Sequence, residues 1–376
     1  MRIETLSVHV GRDIDQATSA VSPALHLSTT FERAADGSFP SGYSYARAGN
    51  PSRTSLESCL AGLEGGAEAL AFASGSAASL AVFSLLDSGD HVIAPRQCYH
   101  GTGKQLRELT ARWGVRCSFV DMSDVREVEA AFTPQTRLIW IETPSNPTLL
   151  LSDIRALSDL AHARAARVCC DNTFATPVLQ RPFTLGADLV MHSSTKFFGG
   201  HSDAMGGVVI TREQDALSAR LRDYQVTAGS VPAPFDCWLI RRSLTTLPLR
   251  VRAQSESALQ IARFLEGHAA VTEVFYPGLE RHPGHSLAAR QMNGGFGAVL
   301  SFCVRGGRAE AFALSERLQL FTRATSLGGV ESLIEHRASI EGPNTLTPDS
   351  LLRVSVGLEH ADDLIADLSA ALSDTF

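Results

Sequence analysis

Between about residue 52 and residue 210 the sequence alternates helical stretches with short apolar runs, and this alternation constrains the fold more than any other feature. Helical spacing runs through 52–64, 76–87, 103–113, 123–132 and 152–165. Between them lie apolar runs at 69–73, 91–94, 117–120, 138–141 and 167–170, with two more near 189 and at 207–210. Runs this short, bounded by polar residues and glycines, read as strands. The alternation predicts an α/β fold: a mostly parallel, seven-stranded, doubly wound sheet with helices on both faces. Such sheets bind ligands at the carboxyl ends of their strands.

The pattern changes on either side. Residues 1–50 lack a sustained period and read as an extended arm; structureless stretches of that length wrap a surface or carry function. After about 245 come a helix around 254–266, a strand at 271–275, runs at 298–304 and 351–356, a helix near 307–318 and a final helix carrying Leu364, Ile365, Leu368 and Leu372. Fewer, less regularly alternated elements predict a smaller α+β domain. The expected units are therefore an arm (1–50), a large domain (51–245) and a small domain (246–376), with a small-molecule site between the domains.

Composition narrows the function. The 376 residues are 44% hydrophobic, enough for a large core, and the 19% charged residues give a net charge of −7 without a run of five like charges. Nucleic acid is not an expected partner. The beginning of the chain mixes charges into its apolar residues, and the densest apolar stretch, 69–86, is interrupted by Ser74, Gly75, Ser76, Ser79 and Ser84. Neither reads as a signal peptide or a membrane span, so a cytoplasmic protein is expected. Seven cysteines without a Cys-x-x-Cys pair read as reduced thiols, and no histidines stand at metal-ligand spacing; no metal is expected.

Five positions could carry chemistry. Lys196, in Ser193-Ser-Thr-Lys196, follows an apolar run and precedes a glycine-rich exit. A lysine desolvated there would be a nucleophile toward aldehydes; the alternative is a surface lysine on a loop. Ser74-Gly75-Ser76, between a strand and a helix, could offer free N–H groups to a phosphate or serve only as a cap. Asp171, directly after the run 167–170, could pair with the ring nitrogen of pyridoxal phosphate or cap a turn. Asn146 ends another strand-to-loop passage. Arg353 alternates with Leu352 and Val354, so it occupies the opposite face and needs an anion: a substrate carboxylate or an internal acid.

Taken together, these residues resemble the Cys/Met-metabolism (trans-sulfuration) family of pyridoxal-phosphate enzymes, which includes cystathionine γ-synthases, cystathionine γ- and β-lyases and methionine γ-lyases. The likeness runs through Ser28-Thr-Thr-Phe31, Tyr45-Ala-Arg-Ala-Gly-Asn-Pro51, Trp140-Ile-Glu-Thr-Pro-Ser-Asn-Pro147, Asp171-Asn-Thr-Phe174, Ser193-Ser-Thr-Lys196, Pro234-Phe-Asp-Cys-Trp238, Ser326-Leu-Gly-Gly-Val-Glu-Ser-Leu333 and Arg353-Val-Ser-Val-Gly-Leu358. It implies a fold-type I enzyme whose cofactor is pyridoxal 5'-phosphate (PLP). By the same resemblance, Lys196 forms the Schiff base and shuttles protons, Asp171 pairs with the pyridine nitrogen, and Tyr99 stacks on the ring. Gly75 and Ser76, with the hydroxyls of Ser193 and Thr195, hold the phosphate. Tyr45 and Arg47 reach it from a neighbouring subunit, implying a homotetramer built as a dimer of dimers. Asn146, Ser326 and Arg353 hold the substrate carboxylate.

The implied reaction is γ-elimination or γ-replacement on a sulfur-containing or O-acylated amino acid, with methionine γ-lyase or cystathionine β-lyase chemistry as the alternatives within the family. Several residues depart from its pattern. Ser44 and Thr325 stand where cystathionine-handling members often carry acids, Lys104 replaces an arginine, Gly101 stands where methionine γ-lyases carry cysteine, and Met-Thr-His is absent between Leu333 and Leu351. Two readings from other classes are an aminotransferase, which amino transfer to a 2-oxo acid would reveal, and an idle binding protein, which would have no reason to keep Lys196, Asp171, Tyr99 and Arg353 together.

Overall fold

The computed structural model describes every residue except 13, 16, 343 and 344. The large sheet consists of β1 (Glu68–Phe72), β2 (His91–Pro95), β3 (Arg116–Val120), β4 (Thr136–Glu142), β5 (Arg167–Asp171), β6 (Leu189–His192) and β7 (Gly207–Thr211). Their order is β1-β7-β6-β5-β4-β2-β3. All neighbours are parallel except β7, which runs antiparallel to β1 and β6. The expected seven strands and mostly parallel pairing are therefore present.

Burial on both faces follows from the period of two. Along β1, Ala69 and Ala71 enter one core while Leu70 and Phe72 enter the other, and in β4 Leu138 and Trp140 part from Ile139 and Ile141 in the same way. A smaller sheet follows: β8 (Val271–Phe275), β9 (Val299–Val304), β10 (Thr322–Arg323), β11 (Leu333–His336) and β12 (Leu351–Ser355), ordered β10-β11-β12-β9-β8. The helix Leu247–Glu266 joins the two regions. Its Leu247 and Val251 pack in the core around β7, and its Ala258, Ile261, Ala262 and Leu265 in the core of the smaller sheet.

Several element boundaries differ from the expected ones. The helix after β1 spans Gly75–Phe83 and stops short of 87, because Ser84 turns its hydroxyl back to the Ala81 carbonyl and the chain enters the Asp87–Asp90 turn. The stretch read as one helix at 103–113 is broken into an α turn (His100–Lys104), a π segment (Gln105–Leu109) and a 3-10 turn (Thr110–Trp113). Strand β11 and the helices Ala216–Ala228, Pro234–Leu244 and His285–Gln291 were not anticipated.

The arm carries one short helix, Ile3–His9, and otherwise follows the surface. It is pinned by Arg241, which donates to the carbonyls of Ser7 and Val10 at the end of that helix, and by the Trp238 indole N–H, which donates to Pro23. Asn50 ends it as an N-cap, accepting from Ser52 and Arg53 N–H, with Pro51 at the first helical position. Among the described residues no helix is long and apolar enough to cross a membrane.

Candidate active site

A cavity of about 430 Å³ opens at the carboxyl ends of β4, β5 and β6, where the smaller sheet meets the larger. It has the size of a small-molecule site. Lys196 lies in the loop after β6, in a turn where Gly200 N–H donates to the Lys196 carbonyl. Gly200 has a φ of +65°, and a Cβ there would fall 2.1 Å from an Arg250 nitrogen, so this turn requires glycine.

The Lys196 amine donates to Ser326 Oγ at 2.9 Å. Burial lowers its pKa to about 8, with Arg353 pushing in the same direction, Glu335 opposing, and Arg337 lowering it further. The amine is thus free over a range where an ordinary lysine is an ammonium, as a nucleophile or proton carrier requires. Lys196 is one of only two lysines in the chain, and the other, Lys104, is exposed.

Asp171 ends β5 and accepts from both the N–H and the hydroxyl of Thr173, at 3.0 and 2.5 Å. Ser193 N–H in turn donates to Thr173 Oγ1 at 2.9 Å, tying the ends of β5 and β6. Burial raises the Asp171 carboxyl above its usual range, while the Thr173 hydrogen bonds and the field of His192 pull the other way. His192 is buried on β6 with its Nε2 2.7 Å from Glu64 Oε2, so the helix Pro51–Glu64 supports this strand end from beneath.

The phosphate expectation rests on the start of helix Gly75–Phe83. Ser74 caps it by accepting from Ala77 N–H, and the first helical bond runs from Ala78 N–H to Ser74, leaving Gly75 and Ser76 N–H ahead of the ladder. A Cβ at Gly75 would come within 2.8 Å of Ser193 Cβ, so only glycine allows this approach. The Thr195 hydroxyl donates to the Gly206 carbonyl and accepts from its N–H.

On the opposite wall, Arg353 donates to Glu335 Oε2 at 2.7 Å, to the Ser326 carbonyl at 2.8 Å and to Asn146 Oδ1 at 3.2 Å. The internal acid considered as the alternative is therefore present, yet Arg353 also lines the cavity and its Nε is buried without a partner. Glu335 Oε2 is shared with Arg337 at 2.7 Å, and Glu335 Oε1 is likewise buried and unpartnered. Ser326 holds a φ of +85°, a conformation costly for a serine, kept by bonds on both its hydroxyl and carbonyl. Next to it, Gly328 at φ +78° lies so close to Phe197 that a Cβ would be 2.7 Å from its backbone nitrogen.

Lys196, Tyr99, Gly75, Ser76, Asp171, Ser193, Thr195, Asn146, Ser326 and Arg353 all line this one cavity, as does Thr325. Tyr45 and Arg47 do not. Both are exposed, and Arg47 donates to the Val226 carbonyl. Sequence reasoning missed Glu142, Glu335 and Arg337. Glu142 terminates its strand as Asp171 does, and Glu335 is the antiparallel register partner of Arg353, a signal hidden because β11 was not read. Gly101 also gains a reason: a Cβ there would stand 2.5 Å from the Tyr99 ring.

The profile of the Cys/Met metabolism PLP-dependent enzymes matches residues 4–373. The chain belongs to this family. It is 47% identical over 374 residues to a cystathionine gamma-synthase of Mycobacterium bovis, covering 98% of this chain and 96% of that one. It is 44% identical to a cystathionine gamma-lyase of Dictyostelium discoideum, covering 99% and 97%. The crystal structure of metB from Corynebacterium glutamicum superposes with a TM-score of 0.98 at 40% identity, covering 100% of this chain and 99% of that one. The fold is accordingly fold-type I, the cofactor is PLP, and the residues fit it. The Gly75 cradle suits a phosphate, Asp171 suits a protonated ring, and the amine of Lys196 suits an aldehyde.

The lowered pKa has a direct consequence. In cofactor-stripped protein, Lys196 is an ammonium below about pH 8 and a free amine above it. The rate of PLP incorporation is expected to rise roughly tenfold per pH unit up to that point and then level off. Stopped-flow absorbance checks this; a rate still climbing steadily toward the range of an ordinary lysine would mean that the amine is not perturbed.

Proposed function

We propose that this enzyme carries out γ-elimination or γ-replacement on a sulfur-containing or O-acylated amino acid, the trans-sulfuration chemistry of cystathionine γ-synthases and γ-lyases. The observation that carries this reading is the desolvated Lys196 amine, set between the carboxylates ending β4 and β5 and the arginines of the smaller sheet. Synthase and lyase relatives at 47% and 44% identity support it.

When bound, PLP supplies an electron sink for charge developing at the substrate Cα. The chain's residues do the rest. Arg353 and Asn146, which line the cavity, hold the substrate carboxylate, and Ser326 fixes the lysine against them. Lys196 removes the Cα proton and carries one from Cβ, a task suited to a group titrating near neutrality. Asp171 keeps the pyridine nitrogen protonated, Tyr99 covers the ring, and Gly75, Ser76 and Ser193 hold the phosphate, with Thr195 joining them once its hydroxyl turns from the Gly206 carbonyl. The bond at Cγ breaks and the γ-substituent leaves as a thiol or a carboxylate; water then completes release of a 2-oxo acid and ammonia, whereas a thiol adding at Cγ gives a new thioether.

The units 1–50, 51–245 and 246–376 are the arm, the cofactor domain and a domain closing over the substrate. Exposure of Tyr45 and Arg47 outside their own cavity supports their service to a neighbouring subunit's phosphate in a homotetramer, a dimer of dimers. We place the enzyme in the cytoplasm, a setting in which its unpaired cysteines would stay reduced. Thr325, which lines the cavity, and Ser44 offer no negative charge to a distal substrate ammonium, which weakens any preference for cystathionine over substrates with a neutral distal end, compared with relatives that carry acids there.

Purified protein incubated with homocysteine, cystathionine and an O-acylhomoserine, with and without cysteine, should release 2-oxo acid or form thioether. Lys196→Ala should lower either turnover by roughly 10³-fold or more. Amino transfer to a 2-oxo acid without any loss of the γ-substituent would replace this reading with an aminotransferase. Mixing Lys196→Ala with Arg47→Ala subunits should restore part of the activity, since one site in such a mixture is intact; exchange without recovery would end the shared-site proposal.

A further inference from the structure

Glu142 is the acid whose presence the expected chemistry does not explain. It ends β4 as the register partner of Asp171 at the end of β5, and both line the main cavity. Its Oε2 accepts from Tyr99 N–H at 2.8 Å and its Oε1 from Asn146 N–H at 3.2 Å. One carboxyl group thus holds the backbones of two residues that face the cofactor. Among the described residues it is also the only one lining both this cavity and a second, of about 80 Å³, bordered by Arg96, Asp121, Ser145 and Ser152.

These contacts make opposing demands. An N–H donor on each oxygen favours the ionised carboxylate, which accepts at both oxygens more strongly than the neutral acid. Burial beside Asp171 calls for the neutral acid and pushes the Glu142 pKa up to about 8, against the N–H groups of Tyr99 and Asn146 and the more distant Arg337. The other charged or titratable groups around it are Lys196, Tyr99, His100 and Arg353, which line the main cavity with it, Arg96 and Asp121, which line the second, and Cys98 and Cys170, whose thiols burial keeps neutral. In the chain alone the conflict stands. A cation placed against Asp171 would resolve it, and a protonated pyridine ring is such a cation.

We propose that Glu142 gives up a proton when PLP binds, and that the resulting carboxylate fixes Tyr99 and Asn146 around the ring. The O–H bond of the acid breaks, its electron pair stays on the carboxylate, and the proton leaves to solvent through the second cavity. Glu142 is a positioning residue: it acts through Tyr99 and Asn146 and not on the substrate. The inference rests on the cofactor assignment and adds to it a proton that assignment does not require.

The test uses cofactor-stripped Lys196→Ala protein, so that the lysine ammonium contributes nothing, with and without Glu142→Gln. PLP is added at about pH 7 in weakly buffered indicator solution. The protein retaining Glu142 is expected to release about one more proton per bound PLP than the Glu142→Gln form. As a second measurement that needs no change at Glu142, infrared difference spectra of protein carrying carboxyl-labelled glutamate should lose an isotope-shifted carboxylic-acid C=O band on PLP binding. Equal proton release, or a glutamate acid band that survives binding, overturns the inference while leaving the cofactor in place. Absence of any borohydride-reducible PLP adduct in the unaltered protein would overturn the cofactor assignment and the inference with it.

Discussion

The cost of holding charge away from water orders the whole site. At the junction of the two sheets lie two carboxyl groups, Asp171 and Glu142, at the ends of neighbouring strands, and on the other wall two arginines, Arg353 and Arg337, around Glu335. Lys196 stands between these groups. The carboxylate end suits a cationic ring, and the arginine end suits a substrate carboxylate. A lysine caught between burial and two guanidinium groups gives up its proton easily. No single residue produces that behaviour; it comes from the separation of charge across one small cavity.

Such a separation lasts only if the walls hold still. The buried contact of His192 Nε2 with Glu64 Oε2 braces β6 beneath Asp171, and leaving one such buried polar partner unsatisfied costs about 1–3 kcal/mol. On the other wall, Gln254 in the long helix donates to the carbonyls of Gly329 and Val356, fixing the Ser326 loop and the end of β12 together. The strain at Ser326 is maintained by this framework. Two buried polar atoms without partners, Arg353 Nε and Glu335 Oε1, fall on the same wall.

Much of this was legible in the sequence because it depends on local pattern. Short apolar runs interleaved with helical stretches marked the seven strands, and an acid directly after one run and a lysine in the loop after another marked Asp171 and Lys196. Family resemblance assigned the roles. What stayed hidden depends on pairing across the chain. Glu335 meets Arg353 only through the register of two antiparallel strands, one of them just four residues long, and Arg337 joins them from the residue after that strand. The break at Gln105 likewise arises where its side chain turns inward to Ser79 and the Ser76 carbonyl, a tertiary contact that no spacing announces.

The account stands on one amine. With only Lys104 and Lys196 in the chain, the attachment site of the cofactor can be read without ambiguity. Borohydride reduction of PLP-loaded protein, followed by proteolysis and mass spectrometry, should place a single stable adduct on Lys196 and leave the exposed Lys104 unmodified. An adduct on Lys104 alone, or equal labelling of both, would contradict the claim that desolvation at the end of β6 makes Lys196 the reactive group.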